Sequence, residues 1–430
     1  MNSPPRRRTG WKIIAGAVLG VVLLLAAAFL WIDRVGARRF DQMRVRVVAL
    51  HEETLARNTP RPVLRGEPQA GNPWAEYQLA YDALNTFKGD HNRINGYVER
   101  NAALDHDPVA ASIRAHPDVF DHLRRGAQRT TGTFPGRWED GVEMPVPPLY
   151  QSQVLANMAA CRARFLVEEG KHREAAELLL DAAQFGSDLR RNQVLIADMI
   201  GLAINLIALS ELRNLVQGKG LHVADFVEID RELEILNRNY PAITGTLKNE
   251  ALSLGFELLR GEGLRRYSEY KSNRWETWRY AFSNRIMEAE AFERMLADMT
   301  EASEVAGKPW SEAFDIYGTI QNRVSEEKNP IVRCFEAGMI GTNRDYRRAV
   351  AVLRLLRTAA HYRATGEILE LEDPFGTRFL HSEKGGRLKI WSVGENGVDD
   401  GGDNGGWLKW TRPPVNSGIT VKDIVLDVPR

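Results

Sequence analysis

Residues 13–32 have the sequence IIAGAVLGVVLLLAAAFLWI, twenty residues without a charged side chain. As an α-helix this stretch is about 30 Å long, which equals the thickness of the hydrocarbon core of a bilayer. Basic side chains precede it at Arg6, Arg7, Arg8 and Lys12. We therefore predict a transmembrane helix over residues 13–32, and this helix decides in which compartment the rest of the chain lies.

A cleaved signal peptide is the alternative interpretation of the same stretch. The basic residues resemble the start of a signal peptide, and Ala26-Ala27-Ala28 resembles its small-residue cleavage site. However, the apolar run continues through Ile32, whereas the apolar region of a secretory signal is typically about 7–15 residues long. The length favours an uncleaved membrane anchor.

The charges around the span do not fix its orientation by themselves. Five arginines follow it between residues 34 and 46, so Lys and Arg are abundant on both sides. A short basic tail before the span and a long body after it are typical of a signal anchor. We expect residues 1–12 to be cytoplasmic and the body to be extracytoplasmic.

The composition of the chain indicates a folded and water-soluble body. Hydrophobic residues make up 43% and charged residues 27% of the 430 residues, as in ordinary globular domains. Lys and Arg together number 57, as do Asp and Glu, so no excess of positive charge points to nucleic acid. The two cysteines, Cys161 and Cys334, could form a disulfide in an oxidising compartment or remain buried thiols.

The pattern of apolar residues predicts a mainly α fold in three parts after the span. Residues 33–148 contain membrane-proximal helices and linkers rich in proline and glycine, and residues 149–366 form an all-α domain. Residues 367–430 form a small β-rich module, with a hairpin turn at Lys384-Gly385-Gly386. Helices are expected over the ranges 74–87, 108–128, 149–169, 171–186, 189–216, 224–237, 243–260, 275–300, 310–325 and 331–364.

Two helical stretches have a second interpretation. The sequence EEGKHREAAELLLDAA, from residue 168 to 183, resembles the latter half of a tetratricopeptide-type repeat, although it occurs convincingly once. Residues 197–209 are apolar enough to suggest a second span, but Asp198 and Asn205 lie within them. An aspartate in mid-membrane costs about 2.5–3.5 kcal/mol. We therefore expect a helical hairpin and a buried core helix.

The sequence GENGVDDGGDNGG, residues 394–406, is the richest cluster of potential ligands. Asp399, Asp400 and Asp403 lie among six glycines directly after a predicted strand. Ca²⁺ takes 6–8 oxygen ligands in flexible geometry, and such a loop could supply several of them. A solvated turn is the alternative, because Asn, Asp and Gly are ordinary turn residues. We predict Asp399, Asp400 and Asp403 as the ligands of a Ca²⁺ site.

The C-terminal tail resembles that of a known family. The sequences DPFGTRFLHSEKGGRLKIWSVGENGVDDGGD and KDIVLDVPR are similar to the C-terminal region of type II secretion major pseudopilins. This resemblance, over roughly sixty residues, implies calcium binding by Asp399, Asp400 and Asp403. The segment Thr9-Gly10-Trp11-Lys12 is not the pseudopilin processing site, so the chain is not itself expected to be a pseudopilin.

The chain as a whole resembles single-span membrane-anchored proteins of planctomycetes and related bacteria. The resemblance rests on the span, on PPLYQSQVLANMAACRARFLVEEGKHREAAELLLDAA and on the DPF and SVGENGVDDGG motifs of the tail. It implies a bacterial inner-membrane protein with a periplasmic body. It implies no particular activity.

Searches for catalytic motifs find none that is complete. His51-Glu52 would begin a zinc-binding H-E-x-x-H motif, but Leu55 stands at the second histidine. His91, His106, His116 and His122 lie in one region without the spacing of a metal pair. Glu250 lies on an apolar helix, where a capping or paired carboxylate is expected rather than a catalytic one.

These observations favour a non-catalytic, membrane-anchored protein that acts as a binding or assembly platform for protein partners. The alternatives are an envelope hydrolase with an unidentified pair of carboxylates, and a component of a pseudopilus-like export apparatus. Two converging carboxylates of shifted pKa in a deep pocket would favour the hydrolase.

Overall fold

The computed structural model describes residues 8–57, 60–86, 94, 111, 113–131, 136–191, 193–261, 284–327, 329, 332, 339–402 and 423–429. Within these residues the chain is mainly helical, with a small three-stranded antiparallel sheet near residue 400. This confirms the predicted helical architecture and the change to β structure in the last part of the chain.

The described helices are α1 (Arg8–Ala56), α2 (Pro73–Thr86), α3 (Pro117–Ala127), α4 (Leu149–Glu168), α5 (His172–Arg190), α6 (Leu195–Gln217), α7 (Val223–Arg238), α8 (Ile243–Leu259), α9 (Asn284–Val305), α10 (Trp310–Ser325) and α11 (Met339–Thr365). A short 3₁₀ helix (Trp138–Glu143) precedes α4, and the strands are β1 (Leu380–Lys384), β2 (Arg387–Ser392) and β3 (Ile424–Pro429).

Most predicted helices agree with these bounds to within a few residues. The helix predicted over 108–128 is broken at Ala115 and His116, and α3 begins at Pro117 because proline fits the first turn of a helix. The predicted boundary between two helices at residues 186–189 is wrong, since α5 continues to Arg190 and α6 begins only at Leu195. The beginnings of the helices predicted at 275 and 331 lie outside the described residues.

Helix α1 is one continuous helix of 49 residues, which corresponds to a length of about 74 Å. The most apolar part of α1 has no residue buried against the rest of the protein. By length and composition, α1 and α6 could each cross a membrane. Only α1 leaves its apolar side chains exposed, because α6 is mostly buried among other helices.

The second half of α1 packs against α8 and α9 and belongs to the core of the body. Met43, Val47 and Leu50 are buried on this face. The contact begins at Gly36, where an added Cβ would lie 3.3 Å from Ile286 Cγ1. Close packing of α1 against the body therefore begins only four residues after the end of the predicted span at Ile32.

The opposite face of α1 is exposed. The sequence pattern predicts a weak apolar stripe of Val45, Val48, Ala49 and Leu55 on this helix, and all four are exposed in the structure. The buried residues are instead Met43, Val47, Leu50 and Thr54, at spacings of three and four. Helix α1 thus has apolar side chains on both faces, and only one of these faces has a partner within the described residues.

Helices α5 and α6 form the centre of the body. Helix α5 packs against α4, α3 and α6, and its residues are buried on all sides from Leu178 to Arg190. Gly170 joins α4 to α5 with φ = 77°, a conformation that favours glycine. Asp198 of α6 is buried beside Arg190, with Asp198 Oδ1 3.0 Å from Arg190 Nε. Helix α6 is therefore a core helix, as predicted, and its aspartate forms a buried ion pair with Arg190 of α5.

One hydrophobic core joins the region before residue 149 to the helices after it. Tyr77 and Tyr81 of α2 pack against Phe185 of α5, with the Tyr77 and Phe185 ring centroids 4.7 Å apart. Leu79 of α2 is 47% exposed, because its position on the helix points away from α5.

The β module is a sheet with the strand order β1-β2-β3. Gly385 and Gly386 have φ values of 61° and 72°, which fit a type I′ turn and confirm the predicted hairpin. Leu388 lies opposite Val428 in the antiparallel β2-β3 register, and Ile390 lies opposite Leu426. These four residues are buried, and β2 and β3 pack against α11.

The packing of α1 on the body predicts that replacing two valines of this helix by alanine lowers the free energy of unfolding by different amounts. Val47→Ala removes buried methyl groups beside Phe292 and Gly255 and should lower the free energy of unfolding by about 1–3 kcal/mol. Val45→Ala should change it by less than about 0.5 kcal/mol, because 69% of Val45 is exposed. Urea unfolding of the full-length chain in detergent measures both, and equal effects would contradict the described packing.

Candidate functional site

The aspartate-rich loop is held in place by a buried carboxylate that precedes the sheet. Asp373 Oδ1 accepts hydrogen bonds from Ser392 Oγ at 2.8 Å and from the Phe375 backbone N–H at 3.0 Å. Asp373 Oδ2 accepts one from the Val393 N–H at 3.1 Å. Asp373 is buried, and burial raises the pKa of its carboxyl. The hydrogen bonds of Asp373 thus connect the DPF motif of the tail to the SVG motif.

Two of the three predicted ligands lie in this loop, and their carboxylates accept hydrogen bonds from neighbouring N–H groups. Asp399 Oδ1 accepts from Trp391 Nε1 at 3.0 Å and from the Gly401 N–H at 2.9 Å. Asp400 Oδ2 accepts from Asn396 Nδ2 at 3.0 Å. These contacts are those of a well-formed turn. Asp403, the third predicted ligand, lies outside the described residues.

The structure adds a carboxylate that the sequence reasoning missed. Asp423 immediately precedes β3 and is only 2% exposed, and its Oδ2 accepts a hydrogen bond from the Gly402 N–H at 2.8 Å. Its Oδ1 has no hydrogen-bond partner among the described residues. Burial raises the pKa of Asp423 and outweighs the opposing effect of backbone N–H groups of Gly402 and Asp400, while the charges of Asp400 and Asp399 add to the rise. The pairing of β3 with β2 brings this residue to the loop from twenty positions away.

The oxygen donors of this loop match the chemistry of Ca²⁺, but the described side chains do not complete a site. In the part of the chain that the structure describes, no three His, Cys, Asp or Glu side chains are arranged to hold a metal ion. The unpartnered Oδ1 of Asp423 is the one observation that fits an ion, because a buried carboxylate oxygen without a donor is costly. The predicted Ca²⁺ site stays a prediction.

A second cluster of carboxylates surrounds Arg65, in the loop between α1 and α2. Arg65 Nη2 lies 2.5 Å from Asp181 Oδ1 on α5, and its Nη1 lies 3.0 Å from Glu232 Oε2 on α7. Both carboxylates are buried, and Glu232 borders a cavity of about 270 Å³ together with Arg65. Burial raises the pKa of Asp181 and raises that of Glu232 to about 7, although Arg65 opposes both shifts.

The Arg65 cluster explains how a loop is attached to two helices. Each carboxylate is engaged by the same guanidinium, and Arg65 Nη2 also donates to the Glu177 carbonyl oxygen at 2.5 Å. A similar attachment is formed by Arg61, whose Nη2 donates to Asp188 Oδ2 at 2.8 Å while Tyr77 Oη donates to the same oxygen at 2.7 Å. The loop before α2 is thus bound to the centre of the body through two arginines, of which Arg61 is buried and Arg65 is half-buried.

The remaining candidate residues have structural roles. Glu250 Oε2 accepts a hydrogen bond from the Leu195 N–H at 2.8 Å and so caps the N-terminus of α6, as expected for a capping carboxylate. His122 Nδ1 lies 3.0 Å from Glu76 Oε2. His116 precedes α3, and His91 and His106 lie outside the described residues.

Cys161 is a buried free thiol on α4, and burial raises its pKa to about 12. A thiol with so high a pKa is protonated and unreactive at neutral pH. Cys334 lies outside the described residues.

Comparison with protein-family models, with curated proteins and with solved structures gives no match to this chain. The resemblances to pseudopilin tails, to planctomycete membrane-anchored proteins and to tetratricopeptide-type repeats therefore stay predictions.

The raised pKa of Glu232 predicts a distinct pH dependence of stability. With a pKa of about 7 in the folded chain and an ordinary value near 4.5 when unfolded, the native state binds the extra proton between these values. Stability should fall as the pH rises from about 4.5 to 7, and Glu232→Gln should remove this loss, which amounts to at most about 3 kcal/mol. Urea unfolding of both proteins at pH 5 and pH 8 measures the difference.

Glu76 supplies the matched control. Burial would raise its pKa, but hydrogen bonds from Arg129, His122 and Arg125 outweigh burial and lower it to about 2. Its contribution to stability should be lost only as the pH falls from about 4.5 towards 2. The effect of Glu76→Gln should thus be the same at pH 5 and pH 8. An equally constant effect of Glu232→Gln would show that Glu232 titrates normally.

Proposed function

We propose that this chain is a single-span membrane protein whose helical body lies outside the cytoplasm and serves as a binding platform for other proteins. The exposed face of α1 is the observation that supports the proposal most directly. Val45, Val48 and Leu55 on this face are 69%, 46% and 53% exposed, although the helix continues directly from an apolar span. Large apolar side chains in a row on a free helix face favour packing against another helix.

The small residues of the span lie on the same side of α1. Gly16 and Gly20 are one helical turn apart, and an added Cβ at either would have no heavy atom within 4 Å. At 100° per residue, both glycines lie roughly 160–200° around the helix from Gly36, which faces the body. Paired small residues allow transmembrane helices to approach closely. The free face of α1 therefore extends from the span to Leu55.

The envelope hydrolase is the second candidate, and the Arg65 cluster is the observation that favours it. Asp181 and Glu232 are two converging carboxylates with raised pKa values, and Glu232 borders a cavity. However, Arg65 bridges both carboxylates, and the cavity of about 270 Å³ is small for a polymeric substrate. The export-apparatus alternative rests on the pseudopilin-like tail. We favour the platform because the free face of α1 needs no rearrangement to bind.

The proposal predicts both where the body lies and which face of α1 meets a partner. Alkaline phosphatase, which is active only outside the cytoplasm, should be active when fused after Arg430. A photo-crosslinking residue at Val48 of the full-length protein should give discrete adducts in intact cells. Immunoblots reveal the adducts, and mass spectrometry distinguishes a second copy of the chain from another protein.

Glu383 offers a control position for the crosslinking, because it is exposed but lies on β1, away from α1. Adducts should be absent at Glu383. An inactive phosphatase fusion would contradict the extracytoplasmic body. Equal adducts at Val48 and Glu383, or none at Val48, would contradict the platform on α1.

We also propose that Ca²⁺ binds at the aspartate-rich loop. Asp399, Asp400 and Asp423 would supply carboxylate oxygens, and Asp403 remains in the ligand set predicted from the sequence. Support comes from the unpartnered Oδ1 of Asp423 and from the mutual proximity of these negative charges. A bound ion would supply a positively charged partner for the buried carboxylate of Asp423, and so would stabilise the β module.

Millimolar Ca²⁺ should therefore raise the melting temperature of the full-length protein relative to EDTA, because a ligand that binds only the folded state stabilises it. Asp423→Asn should abolish this rise without lowering the melting temperature in EDTA, since it removes a buried charge. Asp427→Asn, at an exposed position paired with Arg387, should keep the full response. Identical melting in Ca²⁺ and EDTA for the unaltered protein would contradict the site.

A further inference from the structure

Two arginines just after the span make no contact with the body. Arg34 and Arg38 are exposed, and neither forms a hydrogen bond or an ion pair with any residue that the structure describes. The next residue, Arg39, differs from them, because it pairs with Glu290 of α9. The positive charges of Arg34 and Arg38 are therefore not neutralised by the body.

Both arginines lie on the free face of α1. Gly36, which faces the body, is two residues away from each of them. At 100° per residue this spacing places both about 160° around the helix from Gly36. Asp41, one turn after Arg38, is exposed as well and offsets part of the charge. Two positive charges against one negative charge leave this part of the free face positive.

Two exposed tryptophans indicate the depth at which these arginines lie. Trp11 and Trp31 of α1 are 76% and 68% exposed, and they are about 30 Å apart along the helix. Tryptophan is enriched at both interfaces of a membrane, and this distance equals the thickness of the hydrocarbon core. With Trp31 at the interface, the Cα atoms of Arg34 and Arg38 lie about 5 Å and about 11 Å beyond the hydrocarbon core.

The lipid headgroups are within reach of both side chains. The headgroup layer is about 5–8 Å thick on each side of the hydrocarbon core. Side chains of an α-helix lean towards its N-terminus, which here is the direction of the membrane. Long basic side chains at the end of a span extend in this way to place their charge at the interface. The guanidinium groups of Arg34 and Arg38 can therefore meet lipid phosphates.

We propose that Arg34 and Arg38 bind the phosphate groups of anionic phospholipids on the side of α1 that faces away from the body. A guanidinium group can donate two parallel hydrogen bonds to a phosphate. An anionic lipid neutralises the arginines, whereas a zwitterionic lipid brings its own positive charge to the site. Each basic residue near an anionic surface strengthens association about fivefold. The inference rests on the proposed single span and does not depend on a protein partner.

Quenching of Trp31 by brominated lipids measures this preference, because Trp31 lies one turn before Arg34. Trp11→Phe leaves Trp31 as the only tryptophan among residues 1–73, and the same protein with Trp31→Phe added gives the background. Full-length protein is reconstituted in vesicles of phosphatidylcholine and phosphatidylglycerol, with bromine on one lipid or on the other. Phosphatidylglycerol should be preferred beside Trp31 at least fivefold.

Variants connect the preference to the two arginines. Arg34→Gln combined with Arg38→Gln should reduce it to less than twofold. Arg44→Gln should leave it unchanged, because Arg44 is exposed but lies about 20 Å beyond Trp31 along α1. Arg34→Lys combined with Arg38→Lys should keep most of it, since an ammonium group also attracts phosphate. A preference that survives in the glutamine variant, or that is lost equally in the lysine variant, would overturn the assignment.

The quenching also separates the lipid site from the span itself. Equal quenching by the two brominated lipids would overturn the lipid site and leave the span intact. No quenching of Trp31 by either lipid would overturn both, because Trp31 would then lie outside the bilayer.

Discussion

The structure depends on the close packing of α1 against α8 and α9. Gly255 of α8 makes this packing possible, because a Cβ at that position would lie 2.6 Å from Val47 Cγ2 and 2.8 Å from Phe292 Cε2. Ion pairs at the edge of the contact, Arg39 with Glu290 and Arg46 with Glu293, are exposed and add little to it. Burial of apolar surface is the main attraction. The same helix that carries the apolar span is thus part of the hydrophobic core of the body.

Ion pairs of buried and half-buried arginines organise the rest of the core. Arg61, Arg65 and Arg190 each pair with a carboxylate of the central helices and each donate to a backbone carbonyl as well. Replacing such a pair with apolar residues is often neutral for stability, whereas removing one partner leaves a buried charge and is costly. These pairs therefore fix which loop meets which helix. The loop before α2 and the turn before α8 are both attached to α5 in this way.

The sequence predicted features that depend on neighbours along the chain. The apolar period of the helices and the Gly385-Gly386 turn are local features. The prediction that α6 is not a second span also rests on a local feature, the presence of Asp198 within it. Features that depend on distant residues were not predicted. Asp423 reaches the aspartate-rich loop only through strand pairing, and Arg65 meets Asp181 and Glu232 only through tertiary packing. The exposed stripe of α1 was recognised as apolar, but periodicity alone does not show which of two apolar faces is covered.

The continuous α1 also makes the body a rigid extension of the span. Transmembrane helices tilt by about 20° on average in bilayers, and tilt depends on bilayer thickness. Because α1 is unbroken from the predicted span to Ala56, a tilt of about 20° would move its far end sideways by about 12 Å. In the proposed membrane-anchored arrangement, changes in the surrounding lipid would therefore be converted into sideways displacements of the distal end of α1.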